Sequence, residues 1–389
     1  MFPPDFLWGA ATSAYQVEGG NNSDWTKWHK GDAGRACDHY NRFREDFSIA
    51  KSLGHNAHRF SIEWSRIEPE EGKFNESELN HYREVILALK ENGLEPFITL
   101  WHFTLPVWFA KKGGWLNKDS VRCFERYVAK VVQTYRHLGV KFWITLNEPD
   151  DIYAFEAYSR GRFPPQQKSF LKTIRVLKNL IKTHKRAYKI IHQYDPNSQV
   201  GFANNVIYFE AYGGKFMNRI LKFLANRYWN FWFFRKTMPY HDFIGCNYYY
   251  HNRIKFNWLH PTKFFNRNDN CEVSDIGFEI YPEGIYHVLK NLKNYNLPVY
   301  ILENGIADAK DEKREKFIKD HLYWIYKAIQ KGVDVRGYFY WSLLDNFEWD
   351  KGFWPRFGLV EIDYKTFKRS VRPSALEYKK IIENRLVEA

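Results

Sequence analysis

The sequence predicts a (β/α)₈ barrel, built as a single domain over residues 1–389. Three observations carry that reading. First, short apolar runs, each closing on a polar or aromatic tip, recur eight times with longer amphipathic stretches between them. Second, there is no Gly/Ser linker, low-complexity tract or abrupt shift of composition, although the length alone would allow two or three domains. Third, no GxGxxG turn follows an early strand, as the competing doubly wound open sheet would normally offer.

The eight runs are FLWGAATSAY (6–15), NAHRFSI (56–62), LEPFITLW (94–101), VKFWITLN (140–147), QVGFANN (199–205), DFIGCNYYY (242–250), LPVYILEN (297–304) and VRGYFYWS (335–342). Their brief apolar cores fit parallel strands buried on both faces. Helical patterns fill the intervals. One opens at Asn75 and stops at Gly93; a second runs from Ser120 to His137 before Gly139. A third covers Ser169 to Tyr194 before Asp195-Pro196, and a fourth Lys313 to Lys331 before Gly332. Strand–helix alternation of this kind gives the barrel.

Composition narrows the function classes. Hydrophobic residues make up 44% and charged residues 26%, as in a soluble globular protein. Rings are abundant (15 Trp, 26 Tyr, 32 Phe), so that some can serve as stacking surfaces beyond what the core uses. The net charge of +13 is spread along the chain, with clusters at 182–189 and 253–263 but no nucleic-acid-binding spacing, and reads as solvated surface. Cys37, Cys123, Cys246 and Cys271 form no CxxC pair and no disulfide scaffold, which suits a reducing compartment. No signal-peptide pattern and no stretch of about 18 uninterrupted apolar residues is present. A cytoplasmic protein is expected, without nucleic-acid or membrane partners, and the oligomeric state is left open.

In such a barrel the chemistry gathers at the C-terminal ends of the strands. Those ends carry Gln16, Arg59, His102, Asn147 with Glu148, Asn205, Asn247 with Tyr249, Glu303 and Trp341, residues that bind polyols or handle protons. Glu148, in TLNEP, and Glu303, in ILENG, close the fourth and seventh runs. Two carboxyl groups flanking a glycosidic bond can cleave it: one protonates the leaving oxygen, the other attacks the anomeric carbon or activates water. Asn147 can hold a sugar 2-hydroxyl. Arg59 can keep Glu303 ionised or form a plain structural ion pair. Tyr249 can orient Glu303 or simply pack. Gln16, His102, Glu348 and Trp349 supply donors, acceptors and an indole for a pyranose, with Trp341 a second stacking ring. No HExxH or paired His at ligand spacing occurs, so no metal is expected.

At these residues the sequence resembles glycoside hydrolase family 1, the β-glucosidase/β-galactosidase family, over nearly its whole length. FLWGAATSAYQVEGG, ACDHYNRF (36–43), RFSIEWSRIEP (59–69), TLNEP (145–149), NYY (247–249), LENG (302–305), WSLLDNFEW (341–349), WPRFGLVEIDY (354–364) and RPSALEYKKII (372–382) match family blocks in the family's order. The resemblance implies a retaining, cofactor-free hydrolysis of terminal β-D-glucosyl or β-D-galactosyl residues, with small β-glycosides or short oligosaccharides as partners. It gives Glu148 the acid/base role and Glu303 the nucleophile role. It places Gln16, His102, Asn147, Glu348 and Trp349 on the glycone, Arg59, Asn247 and Tyr249 around the nucleophile, Trp341 at the sugar-stacking position and Phe357 near the sugar 6-position.

Three departures stand out. Thr104 replaces a frequent Asp, Asp150-Asp151 replace an aromatic after NEP, and the segment between Asn205 and His241 is short. Two other classes fit less well. A catalytically dead sugar-binding protein would lack one glutamate. A barrel aldolase or isomerase would want a strand-end Lys or a phosphate-binding glycine turn.

Overall fold

A computed structural model describes residues 1–28, 30–257 and 272–387. Cys271 and the 258–263 part of the second basic cluster lie outside the described residues. Eight parallel strands close into a barrel: β1 (Leu7–Ala11), β2 (Ala57–Ser61), β3 (Glu95–Thr99), β4 (Phe142–Asn147), β5 (Gln199–Asn205), β7 (Ile244–Asn247), β9 (Val299–Asn304) and β10 (Val335–Trp341). Each falls within one of the eight apolar runs. Closure comes from β1 pairing with both β2 and β10, for instance Gly9 with Ala57 and Leu7 with Gly337. Two further parallel strands, β6 (Tyr208–Ala211) and β8 (His251–Ile254), pair outside the barrel, and β11 (Val360–Ile362) and β12 (Arg369–Val371) form an antiparallel ribbon. The 242–250 run is therefore one barrel strand followed by the approach to β8.

The expected helices form close to their expected ends. Helix 76–91 starts because the Asn75 side chain accepts from the amides of Ser77 and Glu78. Ser169 caps helix 170–194 through the Lys172 amide, and Gly139 ends the 3₁₀ turn after helix 120–135 at φ 69°. Several helices had no clear signal in the sequence: 39–52, 216–225, 283–292 and 373–384.

The bottom of the barrel is filled by rings. Phe97 stacks on Phe142 at 4.0 Å and packs edge-on or tilted against Tyr300 and Phe339, while Phe243 and Tyr300 meet at 5.3 Å. Ala11, Ala57 and Ala203 share the cluster, and small residues facing large ones let the layers interdigitate. At the top, Gly305 is required: a Cβ there would lie 1.8 Å from the Trp341 carbonyl oxygen. That close approach lets the chain leave β9 directly beside the end of β10. Most of the abundant Trp, Tyr and Phe residues are core, and a minority line the cleft described next.

Candidate active site

A cleft of about 580 Å³ opens at the C-terminal end of the barrel. Its walls include His102, Asn147, Glu148, Tyr249, Glu303, Trp341, Glu348, Trp349 and Phe357, nine of the residues singled out in the sequence. Gln16, Arg59 and Asn247 do not line the cleft. They are fully buried behind it and act on residues that do.

Glu148 stands where β4 turns into helix 149–160, at φ 41° in the left-handed region, with Pro149 opening the helix. Its amide donates to the Ala203 carbonyl of β5. The Asn247 Nδ2 of β7 donates to Glu148 Oε1 at 2.9 Å. Glu303, at the end of β9, accepts from Arg59 Nη1 on Oε1 at 2.5 Å and from the Tyr249 hydroxyl on Oε2 at 2.9 Å. Arg59 also donates from Nη2 to Asn147 Oδ1 at 2.7 Å and from Nε to Thr99. One guanidinium thus ties β2, β3, β4 and β9 together under the two glutamates.

Both carboxyl groups are buried, but their surroundings differ. Burial pushes Glu148 well up, and the negative charges of Glu303 and Asp151 add to the rise. Burial pushes Glu303 up as well, but there the Arg59 cation and the hydrogen bonds from Arg59 and Tyr249 oppose it. Glu303 is therefore the member of the pair that ionises first, and Glu148 the one that keeps its proton.

A second group faces the pair. The rings of His102, Trp341 and Trp349 are nearly parallel, with centroids 6.0 and 5.8 Å from His102. His102 Nε2 meets Asn147 Nδ2 at 3.2 Å, and His102 Nδ1 is buried without a protein partner. Burial next to Arg59 holds this histidine far below its usual range, so it is neutral. Gln16 accepts from Ser13 and donates to Asn346, to the Phe347 carbonyl and, at 3.5 Å, to Glu348. It fixes the turn that carries Glu348. Burial, then the charge of Glu303, push the Glu348 carboxyl up to about 8. Phe357 closes the floor beside Trp341.

The remaining wall was not read from the sequence. Asp151, Phe155, Glu156, Ile207, Phe209, Trp229, Tyr250, Asn252 and Phe278 line it. They come from helix 149–160, from β6 and β8 and from the segments around them. Asp151 accepts from Asn205 Nδ2 at 2.6 Å and from Trp229 Nε1 at 3.2 Å, and its Oδ1 is buried without a partner. Three signals in the sequence pointed here: Asn205 at the end of its strand, the departure at Asp150-Asp151 and the short segment between Asn205 and His241. The departure at Thr104 has a local purpose: its hydroxyl lies 2.8–3.0 Å from both oxygens of buried Glu63, which in turn caps the short helix at Trp64. Among the described residues no cluster of His, Cys, Asp and Glu could hold a metal ion.

Two buried carboxyl groups in unequal surroundings, in a ring-walled cleft at the barrel top, fit a glycoside-cleaving hydrolase. The sequence profile of glycosyl hydrolase family 1 matches residues 1–239 and 235–386. The chain is 37% identical to β-glucosidase A of Thermotoga maritima, across 100% of this chain and 99% of that one. It is 31% identical to a β-galactosidase of Sulfolobus acidocaldarius, across 98% of this chain and 94% of that one. A solved β-glycosidase from Pyrococcus horikoshii superposes with a TM-score of 0.93 at 40% identity, covering 100% of this chain and 96% of that one. The protein belongs to glycosyl hydrolase family 1 and is a glycosidase. Its alignment with the Thermotoga enzyme extends over 442 positions against 389 residues here, so the shortening noted in the sequence is relative to that enzyme as well.

Proposed function

We propose that the protein is a retaining β-glycosidase that removes terminal β-D-glucosyl or β-D-galactosyl residues, β-fucosyl included, from small β-glycosides and short oligosaccharides. The observation that carries this is the unequal partnering of Glu303 and Glu148: a cation and a phenol on one, an amide on the other. In the first step Glu303 attacks the anomeric carbon as the bond to the aglycone oxygen breaks, and Glu148 gives that oxygen its proton. In the second, Glu148 takes a proton from water, whose oxygen attacks the anomeric carbon and releases Glu303. Asn147, held by Arg59, meets the 2-hydroxyl. His102 and Glu348, the latter set by Gln16, meet the other hydroxyls. Trp341 and Trp349 stack on the apolar face, and Phe357 borders the 6-position. No cofactor takes part.

Relatives named β-glucosidase and β-galactosidase support both glycones, and the Thermotoga maritima β-glucosidase solved in complex with glucoimidazole superposes with a TM-score of 0.90 at 35% identity, covering 98% of this chain and 99% of that one. The whole chain acts as one domain: helix 373–384 returns to the barrel, where the Tyr378 hydroxyl donates to the Gly9 carbonyl.

The test is the stereochemistry of the first product. NMR of the sugar released from a β-glycoside should show the β-anomer first; the α-anomer would mean inversion and remove Glu303 as nucleophile. Glu303→Ala should abolish turnover for every leaving group. Glu148→Ala should spare formation of the intermediate from an activated aryl glycoside and give a burst of aglycone. Equal loss on good and poor leaving groups would remove Glu148 as the acid.

A further inference from the structure

Helix 216–225 and the turn after it show an apolar face to solvent. Phe216, Met217, Ile220, Phe223 and Leu224 recur at the spacing of one helical face, and all are exposed, Phe216 at 78% and Phe223 at 63%; Tyr228 beyond them is exposed at 62%. Monomeric soluble proteins rarely leave contiguous apolar patches of this kind uncovered. The segment 213–239 that carries them holds Lys215, Arg219, Lys222, Arg227, Arg235 and Lys236 and no carboxylate.

A second observation comes from the adjoining surface. A groove of about 530 Å³ lies between this helix and helix 283–292. Arg219, Lys222, Arg227, Arg235 and Lys290 line it, and no Asp or Glu does. None of these five cations is in an ion pair with another described residue. Lys222 lies instead over the Tyr208 ring, and Arg235 donates to the Arg227 carbonyl. A basic groove whose cations pair with no described carboxylate, next to an exposed apolar helix face, is the pairing that an anionic lipid surface recognises: the rings and aliphatic chains enter the interface, and the cations meet the headgroup phosphates.

We propose that helix 216–225 and the basic groove beside it form a peripheral docking surface for an anionic phospholipid bilayer. The charge decides against a second copy of the chain as the occupant. A two-fold interface centred on this face would set six cations against six, with no carboxylate in the segment to relieve them. Nucleic acid would match the cations but leave the row of apolar side chains unused. The expectation of no membrane partner rested on the lack of a spanning segment, and among the described residues no helix is long and apolar enough to cross a bilayer. Contact in the interfacial plane needs only one amphipathic helix. Ile207 and Phe209 line both this groove and the active-site cleft, so the docking surface lies next to the cleft.

The test is co-sedimentation of the full chain with vesicles. Binding to phosphatidylcholine vesicles containing phosphatidylglycerol, but not to phosphatidylcholine alone, is expected, and should fall as salt is raised. Phe216→Ser with Phe223→Ser should abolish it. Arg219→Gln, Lys222→Gln and Arg227→Gln should each weaken it roughly fivefold. All variants should keep wild-type kcat/KM on a soluble aryl glycoside, which shows that they are folded. Equal binding to both vesicle types, or binding unaffected by the variants, would overturn the proposal. So would release from the vesicles by inorganic phosphate at millimolar levels, which would indicate a small-anion site. Failure to bind vesicles, together with a dimer in sedimentation analysis that Phe216→Ser and Phe223→Ser dissociate, would overturn it in favour of a second copy.

Discussion

Arg59 donates from Nη1 to Glu303 Oε1 at 2.5 Å, reaching from β2 to β9 behind the cleft. Glu148 has no ion pair with a described residue, and its pKa is raised by burial and then by the charge of Glu303, with Arg59 opposing from a distance. The kcat/KM profile should therefore be bell-shaped in pH, its acidic limb reporting Glu303 and its basic limb Glu148, as macroscopic values of a coupled pair. Glu303→Gln removes the negative charge and should lower the pKa of Glu148. Titration of carbon-labelled glutamate by NMR in that variant reads it directly, and an unmoved Glu148 would sink the coupling.

Asp151 contributes to the same rise from the other side, with its carboxylate held by Asn205 and Trp229. Asp151→Asn should move the basic limb of kcat/KM to lower pH. A change in kcat without any shift of the limb would show that Asp151 matters only for packing or for the leaving group.

Glu348 predicts discrimination against 6-phosphoglycosides. At a pKa of about 8 it is mostly neutral near pH 7 and ionises as pH rises. A phosphate dianion beside it is then repelled more strongly at higher pH. The ratio of kcat/KM for a neutral glycoside over its 6-phosphate should rise as pH passes through about 8. A ratio below one, or one that falls with pH, would contradict this reading.

Asp345 supplies a stability prediction. It is fully buried and accepts from Arg372 at 2.9 and 3.0 Å, from Arg356 at 3.2 Å and from the Gly358 amide at 2.9 Å. These bonds pin the 356–372 segment beneath the turn that carries Glu348 and Trp349. Asp345→Ala leaves the buried Arg372 without its counter-charge and should cost about 3–5 kcal/mol. Denaturant unfolding measures it; a loss under about 1 kcal/mol would mean that the network contributes little.

Much of the fold was legible because its signals are local. A short apolar run needs only its own residues to read as a buried strand, and Asn75 caps a helix through amides two and three positions away. Helix 149–160 was missed because Glu148 adopts a left-handed conformation that no local pattern announces. The β6–β8 pair was missed because it joins Tyr208 to His251, 43 positions apart, in strands of four residues. Helix 216–225 was not read from the sequence, and even a recognised periodicity would have marked a face without saying what covers it.

The sequence by itself determined the barrel, the two glutamates at the ends of β4 and β9, and most of the residues around them, because strand order and strand-end chemistry are written in consecutive residues. Only the tertiary structure decided which of those residues face the cleft and which stand behind it. Gln16, Arg59 and Asn247 act through Glu348, Glu303 and Glu148 because barrel closure brings the turn after β1, and strands β2 and β7, within hydrogen-bonding distance of loops and strands far along the chain. The difference in proton affinity between two chemically identical side chains was decided there too, since it depends on which of them receives the buried Arg59 guanidinium.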